Sequence, residues 1–218
     1  FCAGGDIVKL YNEGKDGGDY PYHFYRDEYL LNLAVKHFTK PYIALMDGIV
    51  MGGGVGVSVH GSHRIATERT LFAMPESGIG LFPDVGGSYF LPRLAGELGL
   101  YLGLTGARLK AADAVYTGIT PVCIESAKID ELKGALSGHR FGNDAHSEVS
   151  SILARFASDP GAAPIAEVVG AIDTHFANPS AEAILASLEG DPDPWAQKTA
   201  ETLREKSPTS IKLAFLQL

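Results

Sequence analysis

The sequence predicts an α/β fold in its front half and an entirely helical back half. Over residues 1–125, short apolar runs bounded by glycine, proline or aspartate alternate with glycine-rich turns, which is typical of buried strands that end in turns. After Ser126 the apolar residues recur at helical spacing instead. With 218 residues, 45% of them hydrophobic, the chain can form one core, or a core with a small added layer.

Strand predictions organise the front half. Residues 41–46 form an apolar run that predicts a buried strand, and Asp47-Gly48 predicts the turn that ends it. Two further strands are predicted over 63–66 and 70–73, and the second leads directly to Glu76, which is therefore expected at a strand exit. The other elements of this half are a loop into a helix at 51–59, helical segments at 97–104 and 110–116, and a strand at 119–124.

The back half is predicted to contain only helices. Ser126 is expected to cap a helix that carries Ile129, Leu132 and Leu136 on one face. Further helices are predicted over 147–156, 165–176, 181–188 and 195–206. The loops between them are too short to be flexible interdomain linkers. We therefore predict two domains, an α/β core over 1–125 and a helical region over 126–218 that packs on it.

Composition argues against several kinds of partner. The chain has 18 Lys and Arg against 26 Asp and Glu, a net charge of -8, so we expect no binding to nucleic acid and none to a membrane. No apolar run reaches the roughly 20 residues that a membrane span requires. Cys2 and Cys123 are expected to be free thiols. Because the sequence begins at Phe1, inside a glycine-rich turn, we expect it to be a fragment.

Motifs of nucleotide-binding proteins and serine hydrolases do not fit. The glycine run at 52–56 fails the dinucleotide pattern because Val57 stands where the third glycine is required. The pair Gly14-Lys15 is followed by Asp16, so it is not a P-loop. The serine-hydrolase pattern G-x-S-x-G fails at Ser58 because His60 takes the place of its last glycine.

No metal site is predicted. His60 and His63 are three residues apart, a spacing that can place two ligands on one helical face. A third ligand at a recognisable spacing is missing, so the two histidines are interpreted as polar residues near a helix end.

Two isolated carboxylates remain as candidates for chemistry. Glu76 is either a hydrogen-bonded turn residue or a buried acid or base whose pKa is raised by apolar surroundings. Asp84 lies in Phe82-Pro83-Asp84-Val85-Gly86-Gly87, where aspartate more often forms a turn or caps a helix. Glu28, taken alone, is typical of a solvated helix residue.

Four motifs in this order resemble the crotonase (enoyl-CoA hydratase/isomerase) superfamily, and within it the 3-hydroxyisobutyryl-CoA hydrolase branch. They are Phe1-Cys2-Ala3-Gly4-Gly5-Asp6, Met51-Gly52-Gly53-Gly54-Val55-Gly56, Met74-Pro75-Glu76 and residues 82–87. The resemblance is densest over 1–118, resumes at 207–212, and so spans nearly the whole chain. It implies a spiral of ββα turns, with its first turns missing from this fragment, and a helical C-terminal region.

The resemblance also assigns roles to residues. The superfamily holds an acyl-CoA carbonyl oxygen between two backbone N–H groups, which here are those of Gly5 and Gly53. Hydratases of the superfamily use two glutamates, but Gly56 stands at the first position and only Glu76 remains. The hydrolase branch has an aspartate that matches Asp84. It has a further glutamate in an Arg-x-Glu-Tyr stretch, which matches Glu28.

The implied reaction is hydrolysis of a 3-hydroxyacyl-CoA thioester. Glu76 acts as nucleophile or as general base for water, and the sequence leaves both open. Asp84 positions the water or handles its proton, and Glu28 accepts a hydrogen bond from the 3-hydroxyl group of the substrate. No cofactor is expected, because CoA is part of the substrate.

Two alternatives stay open from the sequence. One is an enoyl-CoA hydratase or isomerase, and the other is an acyl-CoA-binding protein without catalytic activity. The resemblance further implies a homo-oligomer. It implies the cytoplasm for a bacterial protein and the mitochondrial matrix for a eukaryotic one.

Overall fold

The computed structural model describes residues 1–218 and has a mixed α/β fold with strands in its front half alone. The strands are β1 (Ile43–Met46), β2 (Ile49–Met51), β3 (His63–Thr67), β4 (Leu71–Ala73), β5 (Leu109–Lys110) and β6 (Val122–Ile124). The strands predicted at 41–46, 63–66, 70–73 and 119–124 are confirmed as β1, β3, β4 and β6. The sequence did not indicate β2 and β5, which have only three and two residues.

Twelve α-helices make up most of the remaining regular structure. They are α1 (Ile7–Lys15), α2 (Tyr20–Lys36), α3 (Gly53–Gly56), α4 (Gly87–Phe90), α5 (Leu98–Thr105), α6 (Ala111–Tyr116), α7 (Ile129–Ser137), α8 (Ala145–Ala154), α9 (Val169–Phe176), α10 (Ala181–Gly190), α11 (Pro194–Arg204) and α12 (Pro208–Gln217). The predicted back-half helices are confirmed within a few residues. The prediction that Ser126 caps the first of them is wrong, because Ser126 begins a 3-10 turn and Lys128 precedes α7.

Two three-stranded sheets form the centre of the front half. One has the order β1-β3-β6 and is entirely parallel, and in the other β2 pairs parallel with β4, which pairs antiparallel with β5. The N-terminal turn joins the second sheet through a parallel bridge between Cys2 and Val50. The Cys2 N–H donates a hydrogen bond to the Ile49 carbonyl oxygen (N···O 2.9 Å), and the Met51 N–H donates one to the Cys2 carbonyl oxygen (N···O 3.1 Å). This pairing places the turn after Cys2 beside the turn after β2.

The helical back half packs on the α/β part through two clusters. The larger cluster joins Phe72 and Leu98 of the front half to Ile172, Ile184 and Leu203 of the back half. The smaller cluster buries residues of β3, β6, α7 and α8, namely Ile65, Ile124, Leu132, Val149, Ile152 and Leu153. The division at 125/126 stays a prediction. No helix is both long and apolar enough to cross a membrane.

Candidate active site

One cavity of about 220 Å³ brings together all five residues that the sequence analysis selected. Gly5, Glu28, Gly53, Glu76 and Asp84 all line it. The rest of its wall is largely apolar and contains no lysine or arginine: Ala3, Gly4, Ile7, Leu10, Phe24, Tyr25, Gly52, Pro75, Ile79 and Leu81. The cavity therefore places three carboxyl groups and two exposed main-chain segments in surroundings of low polarity.

Two neighbouring residues of the cavity wall have backbone N–H groups without hydrogen-bond acceptors. The N–H of Gly53 is the first of α3, and neither it nor the N–H of Gly5 donates a backbone hydrogen bond. A Cβ atom on Gly53 would lie 3.7 Å from the nitrogen of Gly5. Gly4 at φ +102° and Gly52 at φ +51° precede the two donors in backbone conformations that favour glycine. The pair can hold one oxygen atom between them.

Glu76 lies at the exit of β4, where the sequence predicted it, and of the two open interpretations the structure shows a buried acid. It begins a 3-10 turn over Glu76–Ile79, is 3% exposed, and its Oε2 has no hydrogen-bond partner. Burial raises its pKa to about 8, against the opposing effect of its own backbone amide, and the charges of Asp84 and Glu28 raise it further. The Glu76 carboxyl group is thus mostly protonated at neutral pH.

The other two carboxyl groups are shifted in the same direction. Burial raises the pKa of Glu28 to about 7, and the charge of Asp84 adds to this effect. Burial also raises the pKa of Asp84 to about 6, although its own backbone amide opposes the shift. Since like charges in an apolar cavity disfavour ionisation, the three groups hold protons at a pH where isolated carboxyl groups have lost them.

The turn that carries Asp84 has an uncommon backbone conformation. Val85 is the one non-glycine residue with positive φ, at +43°, and it is 1% exposed. A β-branched residue in this region stores strain of about 1–3 kcal/mol, which persists only where the surroundings enforce it. Gly86 continues the turn at φ +83° before α4 begins. The direction of the Asp84 carboxyl group therefore depends on a turn that the neighbouring residues hold in place.

Asn32 fills the space that a side chain on residue 56 would need. A Cβ atom on Gly56 would lie 2.5 Å from Oδ1 of Asn32 and 2.9 Å from Cβ of Val85. Asn32 is 6% exposed, and neither atom of its amide group has a hydrogen-bond partner. It follows Glu28 by one turn of α2. Asn32 was not predicted as a site residue, although this spacing of four residues indicates that both side chains lie on one helical face.

Helices α1 and α2 also supply apolar cover that the sequence analysis missed. Ile7 and Leu10 of α1 and Phe24 of α2 line the cavity. The Phe24 ring lies against Gly5, where an added Cβ atom would clash with the ring. Gly5 is thus covered on one side by an aromatic ring.

Comparison with known proteins finds a matching family and several named relatives. Residues 1–218 match the family described as enoyl-CoA hydratase/isomerase. A curated relative from Xenopus tropicalis, named 3-hydroxyisobutyryl-CoA hydrolase, mitochondrial, is 48% identical over 100% of this chain and 57% of its own length. The chain thus spans somewhat more than half the length of that relative.

Solved structures agree on the fold. A carnitinyl-CoA dehydratase from Mycobacterium thermoresistibile is 40% identical with a TM-score of 0.89, covering 99% of this chain and 61% of its own. An enoyl-CoA hydratase from Rhodobacter sphaeroides 2.4.1 is 36% identical with a TM-score of 0.83, covering 99% of this chain and 60% of its own. The α/β fold with a helical C-terminal region is therefore confirmed.

Proposed function

The chain belongs to the enoyl-CoA hydratase/isomerase family, and from this premise we propose that it hydrolyses a 3-hydroxyacyl-CoA thioester. The proposed reaction converts 3-hydroxyisobutyryl-CoA and water to 3-hydroxyisobutyrate and CoA. The curated relative described above carries the corresponding name. The observation that carries the proposal is that Glu76 shares one cavity with two free N–H groups while Gly56 has no room for a second glutamate.

The two main-chain donors can stabilise the negative charge that forms in the first step of the reaction. Attack on a thioester moves negative charge onto the carbonyl oxygen, and donors fixed in advance stabilise that charge without reorganising. We assign this role to the N–H groups of Gly5 and Gly53. Each such donor typically contributes about 10²–10³ in rate.

Glu76 supplies the attack on the carbonyl carbon in this proposal. As nucleophile, its ionised carboxylate forms a mixed anhydride while the C–S bond breaks and the CoA thiolate takes up a proton, and water then opens the anhydride. As general base, the same carboxylate removes a proton from an attacking water molecule. Both routes need the ionised form, and a pKa of about 8 makes that carboxylate a stronger base than an ordinary one.

Asp84 and Glu28 are assigned supporting roles. Asp84 orients water or holds its proton in the hydrolytic step. Glu28 accepts a hydrogen bond from the 3-hydroxyl group, and a substrate without this group would leave the half-buried Glu28 carboxyl group unpaired. Glu28 therefore favours hydroxylated acyl chains.

The hydratase alternative is less well supported. Addition of water across a double bond by this family uses a second glutamate, and here Asn32 and Val85 occupy the space around Gly56. A binding protein without activity is also disfavoured, because such a protein has no need for a buried, unpaired carboxyl group beside two free donors.

A panel of acyl-CoAs tests the proposal. The purified protein is incubated with 3-hydroxyisobutyryl-CoA, isobutyryl-CoA and crotonyl-CoA, while free thiol and enoyl absorbance are followed in parallel. We expect thiol release that is fastest with the hydroxylated substrate and no loss of enoyl absorbance. Loss of enoyl absorbance without thiol would support the hydratase, and binding without either signal would support the binding protein.

A further inference from the structure

His60 is a partly buried histidine outside the cavity, and the proposed mechanism does not use it. Its Nε2 lies 2.7 Å from the backbone carbonyl oxygen of Val85. Because a carbonyl oxygen can only accept a hydrogen bond, Nε2 carries the hydrogen and donates it. The bond reaches across 25 residues to the residue that directly follows Asp84.

The same imidazole ring packs against the next residue of the turn. A Cβ atom on Gly86 would lie 2.5 Å from Nε2 of His60, so the ring occupies the space beside this glycine. Val85 and Gly86 are the two consecutive residues with positive φ, at +43° and +83°. One side chain thus contacts both residues in the strained part of the turn.

The hydrogen bond from His60 does not depend on its protonation state. Burial lowers the pKa of His60, and the charges of Lys36 and Arg64 lower it further, while the bond to Val85 opposes the shift. The neutral ring with its hydrogen on Nε2 donates to Val85, and the protonated ring would donate in the same way. The donor is therefore available throughout the pH range in which the cavity carboxyl groups titrate.

We propose that His60 is a positioning residue, which directs the Asp84 carboxyl group into the cavity by holding the Val85 carbonyl group. This inference rests on the role given to Asp84 in the proposed function. His60 contacts neither substrate nor reacting atoms. Without this donor, nothing offsets the strain at Val85, so the turn relaxes to another backbone conformation and the Asp84 carboxyl group loses its fixed direction.

Three variants at this position and one elsewhere test the inference. H60F keeps a ring beside Gly86 but has no donor, and H60L removes ring and donor together. H60Q restores an N–H donor on a flexible side chain. H63L is the matched control, because His63 is a buried histidine of β3 that hydrogen-bonds Ser62 at 2.9 Å and does not contact the turn. For each variant, kcat, KM and the thermal unfolding temperature are measured.

We expect H60F and H60L to lower kcat for thiol release about 10- to 100-fold, as misplaced catalytic groups do, with KM changed less than about threefold. H60Q should recover much of the lost kcat. H63L should unfold at a lower temperature but keep kcat within about threefold of the unmodified protein.

The inference is overturned by any of three results. The first is a kcat near that of the unmodified protein in whichever of H60F and H60L folds. The second is a loss of kcat in H60Q equal to that in H60F. The third is a loss of kcat in H63L as large as that in H60F. No thiol release by the unmodified protein would instead refute the proposed function itself.

Discussion

Oε1 of Glu28 lies 2.6 Å from the point where a Cβ atom on Gly53 would stand. This approach puts the proposed hydroxyl acceptor beside the residue that carries a proposed oxyanion donor, the first N–H of α3. A side chain at residue 53 would therefore have to move the Glu28 carboxyl group. An acyl group whose carbonyl oxygen binds at Gly53 would have its third carbon within reach of Glu28.

Replacing Gly53 with alanine should lower thiol release by about 10²-fold, because the new methyl group displaces Glu28 and disturbs an oxyanion donor. Steady-state kinetics with 3-hydroxyisobutyryl-CoA check this expectation. The control is G170A in α9, where nothing lies within 4 Å of an added Cβ atom. Full activity in G53A would show that the N–H of Gly53 does not bind the reacting oxygen.

Substituting Glu76 by glutamine should reduce kcat about 10²–10⁴-fold while acyl-CoA binding is retained, since the side-chain volume stays and the ionisable group is lost. Turnover is measured by thiol release, and binding by titration calorimetry with 3-hydroxyisobutyryl-CoA. E205Q, at an exposed position in the back half, is the matched control. Near-normal thiol release in E76Q would remove Glu76 from the mechanism.

The raised pKa of Glu76 also predicts how stability depends on pH. A carboxyl group whose pKa is about 8 in the folded protein, against 4.5 ordinarily, binds its proton more tightly in the folded state. The contribution of Glu76 to the free energy of unfolding should therefore fall as pH rises from about 4.5 to about 8, by at most about 1.4 kcal/mol per pH unit. Glu28 and Asp84 act in the same direction, up to about pH 7 and about pH 6.

Urea unfolding at pH 5, 6.5 and 8 measures this effect in the unmodified protein and in E76Q. We expect the stability of E76Q relative to the unmodified protein to rise with pH, because the amide never ionises. A constant difference across the three pH values would mean that Glu76 titrates at its ordinary pKa.

Replacing Glu28 with alanine should narrow the preference for 3-hydroxyisobutyryl-CoA over isobutyryl-CoA by at least about tenfold in kcat/KM, since the hydroxyl group loses its acceptor. The neighbouring variant D27A is the control, because Asp27 is 71% exposed and pairs only with Arg26 at 3.0 Å. An unchanged substrate preference in E28A would count against the assigned role.

The sequence was sufficient to predict those site residues that short motifs identify. Glycine clusters and the Met-Pro-Glu motif identified the positions that line the cavity, and Glu76 lies at the strand exit that its flanking residues indicated. Asn32 and His60 were not selected, since their positions matter only through contacts with Gly56 and Val85, far along the chain. Helix α1 was not predicted either; of its apolar residues, Leu10 is buried, and Ile7, Val8 and Tyr11 are exposed.

The contact between Asn32 and Gly56 gives the last prediction. G56A should lower the free energy of unfolding by about 1–3 kcal/mol, because its methyl group meets Oδ1 of Asn32 at 2.5 Å and Cβ of Val85 at 2.9 Å. G134A in α7, with nothing within 4 Å of an added Cβ atom, should be neutral or stabilising.

A double-mutant cycle of Asn32 and Gly56 distinguishes this steric clash from the change in backbone entropy that a glycine-to-alanine substitution also causes. In the double variant N32A/G56A the added methyl group meets only Val85, so its cost should be smaller in the N32A background than in the unmodified protein. Urea unfolding of the four proteins gives the coupling free energy. A G56A variant as stable as the unmodified protein would show that residue 56 has room for a side chain. The steric argument against a second glutamate, and with it the preference for hydrolase over hydratase, would then fail.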